Sequence, residues 1–276
     1  MFRLQFRLHF RRDSEPIMKK AVLLALSLTL AGCYHYDISL PKIGLDMNLR
    51  NLLGDDVRMT PEHAMFIESA AVISLLEPQP RVQWVGSNLK ESNLESLQID
   101  DWEATSTIVG LMEARLKQKG FTVVGINNDI SAKDAYTSSG SFAEPERVRK
   151  RLLAAGNARG VDMLVVIYRQ QVRDFISDSS QKVTGYGLFK RHSDHDVYAY
   201  GVVQVEALNV QKGFVMGKAD AEVKVPLDTR AWQENFETDE GPIRLSPVRS
   251  DVVREGIIKA ISDATMIAAQ EAGISN

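Results

Sequence analysis

Residues 161–168 read VDMLVVIY and are apolar almost throughout. A strand with one face in water alternates polar and apolar side chains, whereas a strand covered on both faces has no polar face to show. The run therefore predicts a central strand with cover above and below, and so an α/β fold. The segments on either side agree with this. Upstream, Pro145 opens a helix carrying Val148, Leu152, Leu153 and Ala155, and the glycines at 156 and 160 close it. Earlier still, RVQWVG (81–86) and FTVVGI (121–126) read as strands. Between them a helix from Trp102 puts Ile108, Leu111, Met112 and Leu116 on one face and stops at Gly120. Strand, helix and strand in succession predict a βαβ unit. Thr60-Pro61 predicts a helix start, with Ala64, Ile67, Ala71, Val72, Leu75 and Leu76 along one stripe until Pro78 and Pro80. The polar stretches 87–101 and 127–143 read as loops.

Downstream of the central strand the periodicity changes. Val183–Arg191, Val197–Val210 and Phe214–Val225 are strand-like, and the polar residues His192–Asp196 separate the first two. Val203, Val205 and Ala207 alternate with Gln204 and Glu206. Ala219, Ala221, Val223 and Val225 alternate with Lys218, Asp220, Glu222 and Lys224. A period of two predicts antiparallel strands with one buried and one wet face, and Gln211-Lys212-Gly213 supplies the hairpin turn. Asp228–Leu245 is an acidic loop. Ser246-Pro247 opens a last helix with Val253, Ile257, Ala260, Ile261, Ala264 and Ile267 facing the sheet. The expected architecture is α/β (α+β): a βαβαβ start, antiparallel strands, and a C-terminal helix packed on one sheet, all within a single domain over 60–276.

The amino-terminal part has a different character. Met18–Cys33, MKKAVLLALSLTLAGC, sets two lysines before an apolar run too short for a stable membrane span, and ends in small residues before a cysteine. Residues 1–32 read as a signal peptide, in which 1–17 are either an amphipathic extension of the basic region or sequence upstream of a start at Met18. Residues 33–59, punctuated by Pro41, Gly44 and Gly54, read as a tether. The signal holds Arg3, Arg7, Arg11, Arg12, Lys19 and Lys20 against Asp13 and Glu15, so the remainder is more acidic than the whole chain's formal net charge of −3. An acidic balance disfavours nucleic acid as a partner. Cys33 is the one cysteine among 276 residues, which leaves no disulfide and no thiolate metal site.

Leu30-Ala31-Gly32-Cys33 resembles the lipobox of bacterial lipoproteins. That resemblance implies cleavage before Cys33 and a diacylglycerol and an N-acyl group such as palmitate on the cysteine. It also implies attachment to the membrane through lipid, and Tyr34 in place of an aspartate implies sorting to the outer membrane, facing the periplasm. RVQWVG, EARLKQKGFTVVG (113–125), ARGVDMLVVIY (158–168) and the hairpin VQVEALNVQKGFVMGKADAEVKV (203–225) together resemble the TolB amino-terminal-like domain of envelope lipoproteins. The curli secretion channel family and the penicillin-binding-protein activators are examples. The resemblance implies no catalytic residue and no cofactor beyond the lipid. It implies a role in binding or assembling envelope components, either an envelope protein partner or further copies of the chain.

Chemistry-bearing clusters are sparse. His192, Asp194, His195 and Asp196 are a candidate divalent-metal set, since imidazole and carboxylate suit such ions; the same residues also solvate a turn between strands. They support the alternative of a metal-dependent or hydrolytic envelope enzyme. No nucleophile elbow, H-E-x-x-H or phosphate-loop pattern occurs in the sequence. Tyr186, Phe189, Tyr198 and Tyr200 flank the histidine loop, and Trp232 and Phe236 lie in the acidic loop. Both groups are candidate contact surfaces, because aromatic side chains offer large area at small entropic cost; ordinary core and rim packing is the other reading of the four hairpin aromatics. Gly185-Tyr186-Gly187 reads as a strand bend.

Overall fold

The computed structural model describes residues 56–85, 92–99, 101–126, 130, 132–136, 145–191, 196–227, 243–244 and 247–275. These lie in one compact unit, Met47–Asn276. The strands are β1 (Ser69–Ser74), β2 (Arg81–Val85), β3 (Ser92–Gln98), β4 (Thr122–Val123), β5 (Met163–Arg169), β6 (Gln171–Arg173), β7 (Lys182–Thr184), β8 (Tyr186–Arg191), β9 (Val197–Asn209), β10 (Val215–Leu227) and β11 (Ile243–Arg244). The helices are α1 (Pro61–Ala64), α2 (Ala104–Gln118), α3 (Ala132–Ala135), α4 (Pro145–Ala158) and α5 (Pro247–Glu271). The class is the expected mixed α/β, with the carboxy-terminal helix packed on the sheet.

β9 organises the sheet. Along one edge it pairs antiparallel with β10, from Val197↔Leu227 to Leu208↔Val215. Along the other it pairs with β8 over Val197–Gly201 and with β5 over Val203–Asn209, both antiparallel. The sheet therefore forks at Val202. One branch continues from β5 to β1 and β4 by parallel pairs, and the other from β8 through parallel β2 and antiparallel β3 to β11. α2 and α5 cover one face, where Met163, Val165 and Ile167 of β5 meet Met112, Leu116, Ile261 and Ala264. α4 covers the other face of the β5 branch, packing Val148 and Leu152 against Leu164, Val166 and Ile73. The β6–β7 hairpin covers the β8 branch on that side, over Phe189, Tyr200 and Val202.

Every residue of β5 is buried, as the uninterrupted apolar run predicts. The helix expected over residues 60–76 is corrected. It stops at Ala64, and Ser69–Ser74 is β1, which lies between β5 and β4. Ala70 and Val72 face one core while Ala71 and Ile73 face the other, so both faces are apolar, and an apolar run of that kind matches a helical stripe as well as a strand. The expected βαβ partnership changes in consequence: β4, reduced to Thr122–Val123, pairs with β1 and not with β2. Part of the expected loop 87–101 is β3, where Leu97 is buried between exposed Ser96 and Gln98. Within the loop expected over 127–143, Ile130, Ala132, Ala135 and Tyr136 are buried under α4. In α5 the stripe passes through Ala268 and Ala269, and Ile267 points outward at 41% exposure.

The GYG segment sits where the fork opens. Gly185 has φ +67° and Gly187 φ +154°. Gly187 lies opposite Arg81 in the β2–β8 ladder, so close that a Cβ would fall 1.8 Å from the Arg81 carbonyl oxygen. Exposed Gly110 in α2, by contrast, has no atom within 4 Å of a Cβ position. Urea unfolding checks the difference. Gly187→Ala is expected to cost about 3 kcal/mol or more, because backbone must move. Gly110→Ala is expected to gain roughly 0.5–1 kcal/mol from helix propensity.

Candidate functional site

Ionisable residues gather where the branches part. Val202 donates its N–H to the Gly185 carbonyl (2.7 Å) and accepts from the Gln170 N–H (3.1 Å), and Gly185 N–H donates to the Gln170 carbonyl (3.0 Å). Beside this junction Arg169, at the end of β5, is 5% exposed and pairs with Glu77. Glu77 also accepts from Arg81 at 3.1 Å. The Arg169 guanidinium lies 4.0 Å from the ring centroid of Tyr136, and the Arg169 N–H donates to the Tyr136 hydroxyl at 3.0 Å. Burial lowers the Arg169 pKa from its usual value, yet the paired carboxylate and the ring face keep a cation tolerable there.

Tyr186 joins the second branch to the same point. Its hydroxyl donates to the Glu77 carbonyl and accepts from Trp102 Nε1 at 3.2 Å, and the two rings are stacked with centroids 6.1 Å apart. Burial pushes the Tyr186 pKa up to about 12, so the hydroxyl stays protonated and remains a donor. Glu77 thus contacts β5 through its carboxylate and β8 through its backbone. Its role is to fasten the two branches together.

Other buried or half-buried acids are likewise engaged by internal donors. Glu206, 4% exposed, pairs with Arg149 of α4 at 2.8 Å and accepts from Tyr168. Burial, and then the charge of Glu206, raise the Tyr168 pKa, so this hydroxyl too stays protonated. Asp220 of β10 accepts from Gln204 Nε2 (2.6 Å) and Gln170 Nε2 (2.7 Å). Asp162 binds the N–H groups of Glu68 (3.1 Å) and Ser69 (2.9 Å), tying β1 to the start of β5. Asp174, 2% exposed, binds the N–H groups of Ile176 (2.9 Å) and Ser177 (3.0 Å) and the hydroxyls of Ser177 and Ser179, closing the β6–β7 loop.

The candidates read from the sequence fare differently. Tyr186 and Phe189 are each 1% exposed and Tyr200 is fully buried, so of the two readings of these rings the structure takes core packing, and the contact surface is corrected. These three rings lie under α2, α5 and the β6–β7 hairpin. Tyr198 is partly buried, with Lys224 Nζ 5.5 Å from its ring centroid. Asp196 is exposed at the start of β9, while His192, Asp194, His195, Trp232, Phe236 and Cys33 lie outside the described residues. Among the described residues no cluster of three His, Cys, Asp or Glu side chains could hold a metal ion, and no helix is long and apolar enough to cross a membrane. Glu206, expected on a wet face, is buried because α4 brings Arg149 over it. Arg169 and Glu77 carried no signal of partnership, being 92 residues apart in the chain.

No family model matches the chain, and no curated protein matches it. Its fold is similar to several solved structures at low identity. One is a Xanthomonas campestris protein of the DUF330 family (9% identity, 78% of this chain and 88% of that one, TM-score 0.36). A second is the PelC dodecamer from Paraburkholderia phytofirmans (11%, 72% and 87%, TM-score 0.29). A third is the lipoprotein GNA1162 from Neisseria meningitidis (9%, 71% and 99%, TM-score 0.29). At TM-scores of this size such similarity identifies neither family nor function.

Asp174 gives the site a pH signature. Burial raises its pKa, but the serine hydroxyls and backbone N–H groups outweigh burial and leave it below the ordinary 3.8. A carboxylate with a depressed folded pKa contributes stability that is complete above the unfolded value and is lost as pH falls through the folded one. Asp174→Asn is expected to cost about 1–3 kcal/mol at pH 7. That gap should narrow steadily once the pH drops below 3.8. Denaturant titrations of both proteins across pH 7 to 3 read it, and a gap constant over that range would contradict the assignment.

Proposed function

We propose that the chain is a lipid-anchored, non-catalytic lipoprotein of the bacterial envelope, held on the periplasmic face of the outer membrane and acting by binding or assembling other envelope components. The observation that carries this reading is Leu30-Ala31-Gly32-Cys33 at the end of a short apolar run that follows Lys19-Lys20. Diacylglycerol and an N-acyl chain on Cys33 together give effectively permanent attachment, where a single chain would be marginal. Tyr34 supports the outer over the inner membrane.

The domain fits the role of a tethered binding module. Near the start of the described residues Val57 N–H donates to the Lys218 carbonyl at 2.8 Å, and Met59 N–H donates to the Ala272 carbonyl at 2.8 Å. The last residues of the expected tether are thus stitched to β10 and to the end of α5. Its buried acids and tyrosines are spent on holding branches, helices and loops together, which is how a scaffold uses them. Confinement to a membrane raises the effective concentration of the module near partners in the same envelope, so modest contacts suffice. Two roles suit such a module: a component of an export or appendage assembly, and a regulator of a cell-wall synthase.

Cys33→Ser tests the anchor. The variant is expected to accumulate as unprocessed precursor, to lose incorporation of labelled palmitate, and to leave the outer-membrane fraction. Normal processing with membrane attachment in that variant would sink the reading.

A further inference from the structure

Among the described residues β10 pairs with β9 along one edge, and its other edge meets a single residue, Val57, through an isolated bridge to Lys218. Lys218 N–H donates to the Val57 carbonyl and the Lys218 carbonyl accepts from Val57 N–H, so the Lys218 backbone faces outward. In an antiparallel ladder alternate residues of a strand face the same edge. Asp220, Glu222, Lys224 and Pro226 therefore point their backbone groups outward, while the residues between them bond to β9. The far side of β9 agrees, since Val202, opposite Glu222, bonds Gln170 and Gly185 there. A 13-residue strand with one open edge is a template for another strand.

The side chains along that edge are complementary to themselves. In a two-fold antiparallel pairing of β10 with β10 of a second copy, centred on Val223, Glu222 lies opposite Lys224 of the second copy and Lys224 opposite Glu222 of the second copy. Both face outward, so they exchange backbone bonds as well. Asp220 N–H meets the carbonyl of Pro226, which has no N–H of its own and ends the pairing there. Centring on Ala221 instead would set Asp220 against Glu222 and Lys218 against Lys224, so charge selects the register. Lys224 Nζ reaches the Phe175 (3.4 Å) and Ile176 (3.1 Å) carbonyls and keeps a third hydrogen for a carboxylate. The Asp220 carboxylate is already taken by Gln204 and Gln170. On the other face Val223 meets its own copy and Ala221 meets Val225, which extends the half-buried apolar row of Ala221, Val223, Val225 and Leu227. The chain before Val57 fits worse. Carrying the Val57 register on would set Asp55 against Asp220, and Asp56 and Arg50 on the apolar row.

The helix above carries a matching feature. Gly201, opposite Val223 in the β9–β10 ladder, lies so close to α5 that a Cβ would fall 2.8 Å from Ile261 Cα, so an axis at Val223 passes beside the middle of that helix. Toward β10, Gly256 packs on Leu227. Val252 and Ile267, 42% and 41% exposed, stand four residues before and eleven after Gly256, within about 40° of it around the helix. They flank Ile261, and the two-fold runs the α5 helices antiparallel, which brings Val252 toward Ile267 of the second copy. Between them Lys259 and Asp263 pair with each other at 2.7 Å. We infer that β10 is a self-pairing edge, at which two copies of the chain join about a two-fold axis at Val223 into one continuous sheet, with Val252 and Ile267 of both copies closing over the seam. The pairing needs nothing from the lipid anchor, so either reading can fail alone.

The protein is purified from cells in mild detergent, and its mass is followed by light scattering over a range of concentrations with the detergent subtracted. A dimer is expected. Glu222→Lys and Lys224→Glu each set like charges across both symmetric pairs and should weaken the dimer on the order of tenfold, and the double reversal should bring it back. Both side chains are exposed, so circular dichroism should be the same in all of these proteins, which excludes unfolding as the cause. Under mild oxidant Val223→Cys should link two copies through residue 223, identified by the mass of the joined peptide. A monomer at every concentration, the outcome if the chain before Val57 takes the edge, overturns the proposal. So does an assembly indifferent to the charge reversals, or a ring of more than two copies in which Val223→Cys does not crosslink.

Discussion

A β-strand has two edges, and β9 uses one of them twice. Because Val197–Gly201 serves β8 and Val203–Asn209 serves β5, two branches of sheet must leave the same edge and diverge without orphaning the backbone between them. Val202, Gln170 and Gly185 close that gap with backbone hydrogen bonds, and the glycines let β8 turn away and run tight against β2. Side chains then lock the junction. Arg169 from one branch and the Tyr186 hydroxyl from the other both converge on Glu77, which sits in the link between β1 and β2. Removing Glu77 would leave the Arg169 charge buried without its carboxylate, whereas removing Arg169 would leave Glu77 paired with Arg81.

The fork also divides the cover. On one face α2 and α5 run across both branches, so that core is continuous. On the other, α4 packs on the β5 branch and the β6–β7 hairpin on the β8 branch, giving two smaller cores. Charged residues settle along these seams. Glu206 meets Arg149 beneath α4, and Lys224 reaches the Phe175 and Ile176 carbonyls of the hairpin loop.

Much of this was legible in local pattern. VDMLVVIY announced a doubly covered strand, the alternation of 218–225 a half-buried one, and Gly120 a helix end, because each signal is set by residues close in sequence. Ser69–Ser74 was hidden because a strand apolar on both faces and a helix stripe draw on the same residues. The burial of Glu206, Tyr186 and Tyr200 was hidden for another reason: it depends on helices and strands far away in the chain, and polar atoms betray nothing locally of the partners that satisfy them. Of the proposed functional features, the Cys33 segment is sequence information alone. The exposure of Met65 and Phe66 in a turn is structural information alone, since the sequence reads both as part of a helix over residues 60–76.

The proposed function rests on attachment of Cys33 to lipid. That attachment is read most directly from the intact mass of the amino-terminal peptide of the protein recovered from the envelope. A peptide that begins at Cys33 with a diacylglycerol and an N-acyl chain is the expected result, and one that begins at Met1 or Met18 and retains a free Cys33 thiol would contradict it.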